Sequence, residues 1–131
     1  MENAFYGYAS VFNVKDSYND MVLPTAFRES LKLKKTKNIK LLWQHDQRKS
    51  IGYFTNIYED QIGLFVEGKF DNYNVYNLVK NNLVNGLSIG YRVKKCDIDT
   101  KNRRILKDLD LIEISLVNFP ANKHSKITYC K

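Results

Sequence analysis

The sequence predicts a mainly β, α+β domain. Its form is a small, largely antiparallel β-barrel of about six or seven strands with two or more flanking helices. Three observations predict it. Of the aromatic residues, 9 are Tyr, 7 are Phe and 1 is Trp, a balance that favours strands. Most strand-like segments are joined by turn signals, which makes neighbouring strands antiparallel. Only two segments carry a helical period. A length of 131 residues is that of one domain, so residues 1–131 are read as a single domain with no linker or internal repeat. A chain of this size hides roughly two-thirds of its unfolded surface.

The elements follow in order. "AFYGYASVF", from Ala4 to Phe12, is aromatic-rich and strand-like, and "NVKDSYNDMV" after it reads as a polar loop. Pro24 opens a helix over "PTAFRESLKLKK", with Phe27 and Leu31 on one face. "NIKLLWQHD" reads as a strand ending near His45, and "SIGYFTNIYED" and "GLFVEGKF" as the two arms of a hairpin. Val75, Leu78, Val79 and Leu83 recur at helical spacing, with Gly86 as the stop signal. "LSIGYRVKKCDI" alternates as a strand, "DTKNRR" is a charged turn, and "ILKDLDLIEISLVNF" is a long strand. "SKITYCK" reads as a short tail.

Composition narrows the function classes. With 44% hydrophobic residues the chain is globular rather than disordered. The net charge of +7 permits an acidic or nucleic-acid partner, but the lysines are scattered and no nucleic-acid signature accompanies them, so no specific nucleic acid is expected. Cys96 and Cys130 lack metal-ligand spacing, so no metal and no cofactor are expected, and a reducing, cytoplasmic setting is. No signal peptide and no 18-residue apolar run is present, so no membrane association is expected.

Gly86-Leu87-Ser88-Ile89-Gly90 fits the G-x-S-x-G pattern of a serine nucleophile. A hydrolase elbow is a strand-to-helix turn with the histidine last in the chain order. Here a helical pattern precedes Ser88 and a strand follows it, so the elbow reading fails on context. A serine nucleophile needs a base, and the base needs an orienting group. His45, at the end of an apolar strand, is a better base than His124 in the polar tail. Glu113 interrupts "LDLIEISLVNF", where a buried carboxylate is expensive without a partner. His45, Ser88 and Glu113 are therefore the candidate catalytic set. The plainer alternative, a strand serine, a structural histidine and a solvent-facing glutamate, stays open on spacing alone.

Taken together, "GYASVFN", "DSYNDMVLPTAF", "LLWQHD", "EDQIGLFVEGKF", "VNGLSIGY" and "DLDLIEISLVNFPAN" resemble the prohead proteases of tailed bacteriophages, from Gly7 to Asn122. The resemblance implies a serine endopeptidase of capsid maturation with the fold of the herpesvirus assemblin protease. It implies His45 as base, Ser88 as nucleophile and Glu113 as orienting acid, where herpesvirus relatives use a second histidine. It implies the major capsid protein and scaffold as substrates, self-cleavage and a homo-oligomer, a dimer or higher. The implied location is the host cytoplasm, inside the prohead. Arg103 and Arg104 fall where herpesvirus proteases carry an arginine-bearing loop, although a solvated turn is the simpler reading. The family usually has glycine after the proline of its "P-G-A-F" stretch, and this chain has Thr25. It also stops soon after "PAN", where many members continue into a C-terminal region. The competing reading is a non-enzymatic basic β-barrel that binds or scaffolds.

Overall fold

A computed structural model of the protein describes residues 3–131. Its strands are β1 (Ala4–Val11), β2 (Asp20–Val22), β3 (Lys40–Trp43), β4 (Asp46–Glu59), β5 (Gly63–Phe70), β6 (Gly86–Ile98), β7 (Arg104–Val117) and β8 (Lys126–Cys130). The helices are α1 (Arg28–Leu33) and α2 (Tyr73–Lys80). Seven strands close a ring in the order β7-β3-β4-β5-β1-β8-β6 and back to β7, and β2 is added beside the start of β7. Closure removes the exposed edges that an open sheet would present. The barrel is mixed. β3 and β2 run parallel to β7, and the other pairings are antiparallel.

The core follows from the sequence pattern. Phe5 stacks on Phe70 with ring centroids 4.5 Å apart and meets Phe54 edge-on at 6.2 Å. Leu41, Leu64, Val66, Leu109, Leu111 and Ile114 fill the same core, each almost fully buried. Each such side chain contributes roughly 1.5–3 kcal/mol by leaving water. Helix α1 packs on β7, where Ser30 Oγ accepts a hydrogen bond from Leu111 N at 2.9 Å. The Asn72 side chain caps α2 by accepting from Val75 N at 3.1 Å.

Four local expectations change. The polar stretch after Val11 contains β2, a three-residue strand that exists by pairing with Arg104, Ile105 and Leu106 of β7. The "SKITYCK" tail is a barrel strand, β8, paired with β1. α2 stops at Lys80, and Leu83 is exposed, because Asn82 takes a left-handed conformation at φ 58°. Gly86 therefore starts β6 instead of ending the helix. Its lack of a side chain lets Pro120 approach, since a Cβ there would lie 2.8 Å from Pro120 Cδ.

Candidate active site

Ser88, His45 and Glu113 come from three pieces of backbone held together by β7. Ser88 lies on β6 directly opposite Ser115 of β7, and Gly90 lies opposite Glu113. β3 runs along the other edge of β7, with Lys40 opposite Glu113 and Trp43 opposite Leu116. The chain then turns within two residues, because Trp43 pairs with Asp46. Gln44 and His45 sit at φ 50° and 62°, both left-handed, the signature of the tight hairpin turn that suits a twisted strand pair. Neither residue is Gly or Asn, so the turn carries a steric cost of roughly 1–2 kcal/mol per residue. β7 offsets it. Gln44 N donates to Leu116 O at 3.0 Å and His45 N donates to Ser115 Oγ at 3.1 Å.

The turn places the imidazole over Glu113. His45 Nδ1–H donates to Glu113 Oε1 at 2.5 Å, and Ser115 Oγ donates to Glu113 Oε2 at 2.7 Å. Glu113 is 4% exposed, so its carboxylate is buried yet bonded through both oxygens. The hydrogen bond to Glu113 raises the His45 pKa above its ordinary value, partial desolvation opposes the rise, and the carboxylate charge adds to it. With Nδ1 engaged, Nε2 is the nitrogen left for chemistry.

Gly90 makes room for this arrangement. A Cβ there would run into the Glu113 carboxyl, 2.8 Å from Cδ and 2.9 Å from Cγ. The second glycine of the G-x-S-x-G match therefore serves the carboxylate rather than an elbow.

His45 and Ser88 border one cavity of about 140 Å³. No hydrogen bond joins them among the described residues. Ala121 and Asn122 also border the cavity. Their segment is pinned by Asn122 Nδ2 donating to Val11 O and Ser17 N donating to Ala121 O. The backbone N–H groups of Ala121 and Asn122 have no acceptor among the described residues. Arg103 and Arg104 lie elsewhere. Arg103 Nε pairs with Asp99 Oδ2 at 2.7 Å, and Arg104 grips Asp20 through two 2.8 Å bonds. His124, the other histidine, does not border the cavity.

Sequence reasoning named His45, Ser88 and Glu113; the fold bonds His45 to Glu113 and sets Ser88 on the cavity that His45 borders, held by residues the sequence did not single out. Gly90 and Ser115 lie inside the quoted motifs, but nothing in those motifs says that either one holds the carboxylate. Ser115 could have been suspected as the polar residue that follows Glu113 on the same face in the apolar end of the strand.

A family model described as "Caudovirus prohead serine protease" matches residues 1–131. The chain is 32% identical to the prohead protease of Enterobacteria phage HK97 over 99% of its length. It is 30% identical to the prohead protease of Escherichia phage T5 over 95% of its length. It spans 61% of each of these relatives. Among solved structures it is similar to the KSHV protease in complex with a hexapeptide phosphonate inhibitor. There the TM-score is 0.67 and the identity 11%, over 97% of this chain and 64% of that one. The varicella-zoster virus protease gives a TM-score of 0.65 at 14% identity, over 99% of this chain and 64% of that one. At such low identity these two matches bear on the fold alone, and they agree with the mixed barrel.

Proposed function

The chain belongs to the caudovirus prohead serine proteases, and from that premise we propose that it is a serine endopeptidase of phage capsid maturation. The observation that carries this reading is the run of hydrogen bonds from Ser115 through Glu113 to His45, ending at the cavity that holds Ser88. A module that only binds gains nothing from keeping a carboxylate 4% exposed beneath a histidine.

The reaction is acyl transfer. His45 Nε2 takes the proton of Ser88 Oγ as the oxygen attacks a peptide carbonyl. Glu113 fixes the tautomer of His45 and stabilises the imidazolium that forms. The oxyanion of the tetrahedral intermediate accepts hydrogen bonds from the Ala121 and Asn122 backbone N–H groups. One such donor is worth about 3–4 kcal/mol in serine proteases. His45 then returns the proton to the leaving amine, and water hydrolyses the acyl-enzyme by the same path. The substrates are the scaffold or the scaffolding segment of the major capsid protein, cleaved inside the prohead in the host cell, with self-cleavage in the same assembly. The protein acts as a homo-oligomer.

Co-expression with the cognate capsid protein tests this. Wild type is expected to release the processed capsid protein and Ser88→Ala to leave it uncut while remaining folded. Processing by the Ser88→Ala protein at the wild-type rate refutes the assignment of the nucleophile.

A further inference from the structure

The lysines lie scattered along the sequence, and the fold gathers two of their tracts into one surface. Residues 32–40 hold five lysines and no acid, and residues 92–95 hold three more cations and no acid. The tracts meet on β7. Lys34, at the end of α1, reaches across to that strand, where its Nζ meets Asp110 Oδ1 at 2.8 Å and donates to Leu111 O at 2.6 Å. Arg92 of β6 lies directly opposite Asp110. On the other edge of β7, Lys40 of β3 lies opposite Glu113. With strands about 4.8 Å apart and about 3.3 Å of rise per residue, Lys40 and Arg92 fall about 10–15 Å from each other.

The cluster is unbalanced in charge. The hydrogen bond from Lys34 holds the Asp110 carboxyl below its ordinary value, desolvation opposes the shift, and the charges of Lys34, Arg92 and Lys94 add to it. Only Lys34 is bonded to that carboxylate. Lys35, Lys37, Lys40, Arg92 and Lys94 are exposed and enter no ion pair among the described residues. Like charges held this close repel one another and leave a positive potential that an acidic partner would relieve. Leu33, 77% exposed at the end of α1, adds an apolar contact beside them. Residues 32–40 and 92–98 contain no aromatic side chain, so bases have nothing to stack on, which favours an acidic polypeptide over a single-stranded nucleic acid. The surface also shares a strand with the nucleophile. Arg92 and Lys94 lie beyond Ser88 on β6, about 13 and about 20 Å along the strand. None of these cations borders the cavity beside Ser88.

We propose that this basic surface is a docking site, separate from the catalytic cavity, for an acidic segment of the substrate chain. This rests on the protease reading above and names the class of substrate. It is a polypeptide that carries several Asp or Glu residues at least about four to six positions from the scissile bond, the number that about 13–20 Å of extended chain requires. Docking there raises the local concentration of the cleavable segment at Ser88, so it acts on KM and leaves kcat alone.

The test uses paired peptides with one cleavable sequence, flanked on both sides by Glu clusters or by Gln clusters about six residues from the scissile bond. Wild type is expected to show a KM about 10-fold lower for the Glu-flanked peptide at low salt. At 1 M salt, where the Debye length is about 3 Å, the two values are expected to agree within about twofold. A variant combining Lys35→Gln, Lys37→Gln, Arg92→Gln and Lys94→Gln is expected to bring the low-salt ratio to within about twofold of unity. All four positions are exposed, and thermal melting checks that the variant folds. Equal KM values in wild type at low salt, a ratio the variant leaves in place, or a ratio that survives 1 M salt overturns the inference. Fluorescence anisotropy of a labelled Glu-flanked peptide on Ser88→Ala protein reads docking without cleavage. Single-stranded DNA that displaces this peptide at a lower charge concentration than poly-glutamate assigns the surface to nucleic acid and overturns the inference as well. A fluorophosphonate probe separates the two levels. Wild type that labels at Ser88 and cleaves both peptides with equal KM sinks the docking site alone. Wild type that neither labels nor cleaves either peptide sinks the protease reading, and the docking site with it.

Discussion

Gly90→Ala adds one methyl group and is expected to disable the enzyme while leaving substrate binding intact. The Cβ would stand 2.8 Å from Glu113 Cδ and 2.9 Å from Cγ, whereas carbon atoms in contact settle near 3.5–4.0 Å. A retreat of about 0.6–1 Å is needed. The backbone has little room to supply it, because β6 is paired with β7 on both sides of the position, although the register shifts just after Gly90. The Glu113 side chain must therefore move, and it is held by His45 at 2.5 Å and Ser115 at 2.7 Å. A misplacement of about 1 Å in a catalytic group costs about 100-fold, and complete loss of the orienting acid about 10⁴-fold. The expected fall in kcat lies between these limits, about 10²–10⁴-fold. Stability drops by about 1–3 kcal/mol from overpacking. KM stays within about threefold, because Gly90 does not border the cavity beside Ser88. Steady-state kinetics on a cleavable peptide, the rate of fluorophosphonate labelling and a denaturant melt measure the three quantities. A variant that folds and retains wild-type kcat shows that the carboxylate does not need its position, and removes Glu113 from the mechanism.

One further prediction concerns the titration of His45 and another the backbone at Thr25. His45 must be neutral to accept the serine proton, and its pKa is raised by Glu113, so activity is lost as pH falls through a value above the ordinary histidine 6.5. Glu113→Gln removes the charge, so the acid limb of kcat/KM is expected to move to lower pH as the maximum rate drops; a limb that stays put separates His45 from Glu113. Thr25 sits at φ 73°, left-handed and unfavourable for a β-branched side chain. Thr25→Gly is expected to stabilise the fold by about 1 kcal/mol without changing kcat, and an equilibrium urea titration in which the variant is no more stable refutes that reading of the turn.

Much of the barrel was legible because its strands carry their own pattern. β4, β5, β6 and β7 are long, and their apolar and turn residues declare them. β2 and β8 were not legible, because a three-residue or five-residue segment becomes a strand through its neighbours rather than its composition. Glu113 stood out as a charge in an apolar run, and the fold resolved it by burying both oxygens against donors. The turn at His45 was invisible for a physical reason. Gln and His carry no left-handed preference, so nothing local reports that Gln44 and His45 are forced there by Ser115 and Leu116, some 70 positions along the chain. The sequence places Thr25 in the first turn of the helix that Pro24 opens. The backbone angle of Thr25 shows that the position calls for glycine's conformational range.

The parallel pairing of β3 with β7 also governs when His45 can meet Glu113. His45 and Glu113 are separated by 68 residues, so their meeting belongs to the slow, non-local part of folding. A nascent chain that has emerged through β6 already carries His45 and Ser88, but nothing yet fixes the imidazole or anchors its turn. Only with β7 between β3 and β6 are the turn anchored and the carboxylate set beneath the imidazole. The contact of His45 with Glu113 is therefore all-or-none in the fold: it is complete with β7 paired on both edges and absent without it.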